Sequence, residues 1–325
     1  MVFPYKLKSI LLAIVIATAL LLGGCSQAPE QPIRVGTNIW LGYEPLYLAQ
    51  SLGYFKSNEV KLVQYISASQ TMRSIVDGTV EAAALTLDEA LLLQQFGVDA
   101  RVVLVMDYSN GADKVITRPD INNLKELRGK RIGVETSALG AYMMHRVLEK
   151  ADLSLNDVKL VSLSLAEHEQ AYLNGDVDAL VTFDPVSSRL MKLGAHTLFD
   201  SSEMPGEVVD VLVVRNDYLM ENKEHLKKLL AGWFRAIEYF DDYPEKSARY
   251  MNARMKMGEE QLLSGFRGVV LPKSKENRRL LSGKPTPLSV QAEKLADVMA
   301  ENKLLRGPAQ ANKLFDPELL QELYP

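Results

Sequence analysis

The chain has 325 residues, 47% of them hydrophobic, with a formal net charge of −4 and one cysteine. That length holds one large or two medium domains with ample core, and a mildly acidic chain without a basic stripe is a poor partner for nucleic acid. The lone Cys25 excludes an internal disulfide and any metal or redox cluster built on cysteine.

Lys6 and Lys8 precede an apolar run from Ile10 to Leu22. The run is short for a membrane span and has the proportions of a signal-peptide core. It ends in Leu22, Gly23, Gly24 and Cys25, which resembles the lipobox of bacterial lipoproteins. The resemblance implies that residues 1–24 are a signal peptide and that Cys25 carries the lipid, palmitate among its chains. Residues 25–32 would then tether the protein to the periplasmic side of a bacterial membrane, inner or outer. The competing reading is an ordinary signal peptide or short anchor in which Cys25 is passive.

From Ile33 the pattern alternates. "IRVGTN", "VKLVQYI", "AAALT" and "RVVLVMDY" have strand composition, and Tyr43–Ser51, Gln70–Asp77 and Leu87–Phe96 between them have helical spacing. These are βαβ units of a mostly parallel sheet. Asp113–Arg118 reads as one more extended stretch, interrupted by Pro119. A second set follows: strand "KRIGVE", a helix from Ser137 to Lys150, strand "VKLVSLS", a helix around Glu167–Leu173 and strand "DALVTF". "VVDVLVVR", Val208–Arg215, is a further buried strand, after which the chain is almost wholly helical. The basic stretch Lys273–Lys284 in that tail reads as a solvated face. A second sheet inserted before the helical tail requires two crossings, expected near Ile116 and Val214. Lobe 1 is therefore expected over 33–116 and 215–325 and lobe 2 over 117–214, with a ligand cleft between them.

"NIWLGYEPLYLAQSLGYF", "LKELRGKRIGVETSALGAYMMHRVLEKADL" and "LNGDVDALVTFDPVSSRLMKLG" together resemble the solute-binding proteins of bacterial ABC importers. The likeness is to the branch that binds nitrate, alkanesulfonates, taurine and thiamine precursors, and it runs from about Ile33 to Arg215. It implies an α/β fold of the type II periplasmic-binding-protein class, two lobes closing on a small molecule delivered to a membrane permease. A monomer that serves a membrane sensor instead would use the same closure.

In open α/β sheets ligands sit at the carboxyl ends of strands. The candidates on that rule are Trp40, Tyr43 and Glu44 after the first strand; Thr86 and Asp88 after the third; Asp107 and Ser109 at the end of the fourth. In the second unit they are Thr136, Ser137, Ala138 and Gly140, then Thr182, Phe183 and Asp184, with Asp210 on the returning strand. Leu139, Met143 and Val147 repeat at helical spacing, which places Thr136 or Ser137 at an N-cap whose free N–H groups suit an anion; ordinary capping is the alternative.

The carboxylates point the other way. Glu44, Asp88, Asp107, Asp113, Asp184 and Asp210 fall near strand ends or crossovers where no lysine or arginine is placed, so the rim is expected to favour an amine over a bare anion. With Trp40, Tyr43 and Phe183 as flat walls, the expected ligand carries an amino or heteroaromatic nitrogen, or is a zwitterion. A sulfonate-like ligand is the fallback. An enzyme related to thiamine-pyrimidine synthesis is the rival class. Cys25 is already claimed, and His145, His168, His196 and His225 occur singly without HExxH or metal-ligand spacing, so no catalysis, cofactor or metal is expected.

Overall fold

The computed structural model describes residues 31–135, 139–307 and 309–324. Cys25 and the expected signal peptide lie outside the described residues, as do Thr136, Ser137 and Ala138. Among the described residues no helix is long and apolar enough to cross a membrane.

The first half of the chain lays down β1 (Ile33–Thr37), a 3-10 turn (Leu41–Tyr43), α1 (Glu44–Ser51), β2 (Val60–Gln64), α2 (Ala68–Val76), β3 (Ala82–Thr86), α3 (Leu87–Gln95) and β4 (Ala100–Ser109). It then enters a second unit with β5 (Lys114–Thr117), β6 (Arg131–Val134), α4 (Leu139–Ala151), β7 (Lys159–Ser162), α5 (Leu165–Asn174), β8 (Ala179–Thr182), α6 (Val186–Lys192) and β9 (His196–Asp200). β10 (Val209–Arg215) returns, followed by α7 (Asn216–Glu221), α8 (Lys223–Asp242), α9 (Pro244–Met255), α10 (Glu259–Phe266), β11 (Val269–Val270), α11 (Ser274–Leu281), α12 (Pro287–Glu301) and α13 (Glu318–Leu323).

Two sheets result, with strand orders β11-β4-β10-β3-β1-β2 and β7-β6-β8-β5-β9. Their βαβ portions are parallel, β1 with β2 and β3, β6 with β7 and β8. The expectation of a mostly parallel sheet needs correction elsewhere: β10 runs antiparallel to β3 and β4, and β5 antiparallel to β8 and β9. A strand that arrives from the other sheet has no crossover helix to bring it back to the same end, so it enters in the opposite direction.

The crossings also sit elsewhere than expected. Ile116 is already inside the second sheet, and Val209–Val214 belong to the first. The chain therefore changes sheets between Ser109 and Lys114 and again between Asp200 and Val209. The two passages are tied together, because the Ser109 and Ser201 hydroxyls lie 2.7 Å apart and the Gly111 N–H donates to Ser201 Oγ at 2.7 Å.

The helical tail packs on the first sheet. Trp233 of α8 is fully buried, and Gly232 beside it admits Phe55, whose Cδ1 would lie 2.7 Å from an added Cβ. The Val102 N–H donates to the Leu314 carbonyl, so the last segment is stitched back onto β4.

Candidate ligand-binding site

At the mouth of the first sheet the turn after β1 is locked by two acids. Trp40 Nε1 donates to Asp107 Oδ2 at 3.1 Å, and the Tyr43 hydroxyl donates to Asp210. Gly42 makes the first contact possible, since a Cβ there would stand 1.8 Å from Asp107 Oδ2. Asp210 pairs in register with Asp107 on one side and Thr86 on the other, so the ends of β3, β4 and β10 meet under the two rings. The Thr86 N–H donates to Glu89 Oε2 at 3.1 Å. That bond fixes Glu89 at the start of α3, and its Oε1 is buried without a partner.

The facing wall comes from the second sheet. Phe183 meets Trp40 edge-on, ring centroids 5.3 Å apart at 89°. Glu135, directly after β6, reaches across to α2, where Ser69 donates to its Oε1 from the backbone N–H at 3.1 Å and from Oγ at 2.8 Å. His168 on α5 is buried, with Nδ1 3.1 Å from Thr182 Oγ1. Gly140 lets α4 begin close against β6, for a Cβ there would lie 2.1 Å from the Glu135 carbonyl oxygen.

Between these walls lies a cavity of about 50 Å³, lined by Trp40, Tyr43, Phe183, Glu89, Asp113, Asp210, Glu135 and His168, with Asn38, Thr86, Thr182 and the apolar Leu139, Met143 and Val181 among the rest. That is room for a few water molecules, at roughly 10–15 Å³ each. Ser69 and Glu135 bridge the two walls beside it. Among the described residues, no lysine or arginine lines the cavity.

The acids are correspondingly hard to ionise. Burial pushes Glu89 up to about 8, reinforced by the charge of Asp88, and burial likewise lifts Asp107 to about 8. Asp210 is raised well above the usual carboxylate range by burial and by Asp107. Asp113 rises to about 6, again through burial, and its Oδ2 is unpartnered. His168 moves the other way, burial lowering it to about 4, so its imidazole is neutral.

Of the sequence candidates, Trp40, Tyr43, Thr86, Gly140, Thr182, Phe183 and Asp210 line the cavity. Five others stand elsewhere. Glu44 is fully buried against Arg254, whose Nε donates to its Oε1 at 2.8 Å and whose guanidinium lies over the Tyr47 ring. Asp184 accepts from Ser187 Oγ at 2.6 Å and from the Ser188 N–H at 3.0 Å, which makes it a brace for α6. Asp107 supports Trp40 from behind the cavity, Asp88 is buried in the first turn of α3 and does not line the cavity, and Ser109 serves the crossing. Sequence reasoning missed Asn38, Glu89, Glu135, Met143 and His168. Glu135 follows a strand and obeys the rule already in use, whereas Glu89 reads locally as the third residue of a capping box. A single histidine on a helix carries no signal.

Comparison with known proteins adds the following. The NMT1-like family model matches residues 26–255. A Brucella abortus protein named as a binding protein is 23% identical over 159 residues, 46% of this chain and 49% of its own length, so the match spans about half of that relative. A Bacillus subtilis protein named for binding aliphatic sulfonates is 26% identical over 249 residues, 66% of this chain and 74% of its own. Among solved structures, the alkanesulfonate-binding protein SsuA from Xanthomonas axonopodis pv. citri, bound to MOPS, superposes with a TM-score of 0.77 at 18% identity, covering 89% of this chain and 99% of its own. The desulfurization enzyme DSZB shares the fold at a TM-score of 0.66 and 17% identity, covering 90% and 98%. The fold is thus that of periplasmic binding proteins, and enzymes also use it.

Proposed function

The chain belongs to the NMT1-like family, and from that membership we propose that it is an extracytoplasmic solute-binding protein that delivers a small molecule to an ABC import permease. The ligand carries a protonated amine or a basic heteroaromatic nitrogen, held between two lobes. Cys25 anchors the protein by lipid to the periplasmic side of the membrane. The observation that carries the ligand class is the pair of buried, unpartnered carboxyl oxygens at the cavity, Glu89 Oε1 and Asp113 Oδ2, under walls of Trp40, Tyr43 and Phe183. A buried polar atom without a partner is costly, and a cation with N–H donors relieves both acids at once while the rings face its charge.

Relatives named for sulfonates favour the second reading, an anionic ligand. Against it stands the lining itself: a sulfonate in a cavity bordered by Glu89, Asp113 and Asp210 meets like charge wherever those groups ionise, with no lysine or arginine among the described lining residues to offset it. Binding without catalysis is supported by the relatives, which are named as binding proteins.

Calorimetry with benzylamine and benzenesulfonate tests the ligand class, the two probes sharing a ring and differing in the sign of the head group. The amine is expected to bind and the sulfonate not. Binding of the sulfonate alone would reverse the assignment.

A further inference from the structure

The two walls of the cavity differ in kind. Lobe 1 and the crossing supply Glu89, Asp113 and Asp210, whereas the second-lobe wall carries one acid, Glu135, already bonded to Ser69, and is otherwise made of Leu139, Met143, Val181, Thr182 and Phe183, with His168 among them. His168 is 1% exposed, and its Nδ1 is committed to Thr182 Oγ1. Its Nε2 is buried and has no partner. The adjacent threonine meets the other nitrogen, and the Leu163 backbone acts on the ring without giving Nε2 a hydrogen bond. The pocket therefore leaves one ring nitrogen unsatisfied on the wall opposite Glu89, Asp113 and Asp210.

Resting on the amine reading of this pocket, we propose that His168 determines specificity at the end of the ligand remote from its cationic group, where Nε2 pairs with a hydroxyl substituent. A neutral imidazole has one donor and one acceptor nitrogen, and which of them faces the cavity depends on the bond made with Thr182. A hydroxyl both donates and accepts, so it satisfies Nε2 in either tautomer. An ammonium group suits only the acceptor form and is better served by the opposite wall. A methyl or hydrogen at that position would leave Nε2 buried and unpaired, and a site built to hold a hydroxyl discriminates strongly against an analogue lacking it. The cleft then reads its ligand at two points, charge on lobe 1 and a polar substituent on lobe 2, and only a molecule meeting both holds the lobes together.

The experiment is calorimetry on the full-length protein with benzylamine and its 2-, 3- and 4-hydroxy derivatives, which move the hydroxyl around the ring while keeping the amine. At least one isomer is expected to bind tenfold or more tightly than benzylamine. His168→Phe should erase that preference, so that benzylamine and its hydroxy derivatives bind the variant alike. His168→Gln, which can place a polar atom near the position of Nε2, should restore part of the preference. His168→Asn keeps a partner for Thr182 without reaching the cavity and should not restore it; it replaces Phe as the test variant where Phe prevents folding. Two results overturn the inference while the amine reading survives: benzylamine binds but no isomer is preferred, or the preference persists in His168→Phe and His168→Asn. If benzylamine itself does not bind the wild type, the amine reading falls and the inference falls with it.

Discussion

Asp107 and Asp210 face each other in register across antiparallel β4 and β10, and each holds one aromatic of the cavity, Asp107 through Trp40 and Asp210 through Tyr43. Two buried carboxyl groups side by side resist simultaneous ionisation.

This arrangement sets a pH dependence. Glu89 and Asp107 are raised to about 8 and Glu44 to about 7, so between the ordinary carboxylate range and those values the folded state binds more protons than the unfolded chain. Stability contributed by these groups is greatest at low pH and is lost as pH rises toward 8. His168, lowered to about 4, has the opposite effect, confined to the interval below its ordinary value near 6.5. From pH 6.5 to 8 the acids act without it, and the melting temperature of the ligand-free protein should fall across that interval. Asp107→Asn should flatten the slope. Thermal denaturation at constant ionic strength checks both.

The acids should separate by role. Glu89→Gln removes a carboxyl group that a bound cation would hold ionised and should weaken benzylamine about tenfold or more while sparing benzyl alcohol, a neutral analogue. Asp184→Ala, by contrast, removes a brace of α6 and should cost about 1 kcal/mol of stability without changing the ratio between the two probes. Trp40→Ala should weaken both by roughly 1–3 kcal/mol through lost ring area. Equal effects of Glu89→Gln on amine and alcohol would remove the charge argument.

Closure should depend on the bond that spans the mouth. Glu135 receives both donors of Ser69 from the other lobe, so Glu135→Ala leaves the start of α2 without its acceptor. The ligand-free protein should then be more expanded in small-angle scattering, and benzylamine should bind more weakly by about 1 kcal/mol, since closure must be driven without that contact. A scattering curve identical to wild type would show that this bond does not hold the mouth.

Cys25→Ser should release the protein from membranes or leave it unprocessed, with the thermal stability of residues 33–325 unchanged. Fractionation of cells expressing the variant is the measurement. Continued membrane attachment of a correctly processed variant would exclude the lipid anchor.

The architecture was legible because it rests on periodicity. Ala82–Leu85 of β3 and Val102–Met106 of β4 are uninterrupted apolar runs, and α4 shows its buried face in Met143, Val147 and the residues a turn away. What the sequence hid was direction and partnership. Val208–Arg215 reads as a buried strand in either sheet, and only pairing with β3 and β4 decides which. His196–Asp200 became a strand through its pairing with β5 despite a half-exposed, mixed composition. Within the site, post-strand placement found the rings. It could not tell a carboxylate that faces the cavity from one already paired, because the partner of Glu44 lies 210 residues away at Arg254.

The hydroxyl pair of Ser109 and Ser201 fastens the two crossings to each other, and the Ser109 hydroxyl also accepts from the N–H of Asp113, whose carboxyl lines the cavity. If the lobes turn about these crossings, a group held by Asp113 lies near the axis and moves less than Ser69 and Glu135, so a solute resting there would bias the mouth from beside the axis.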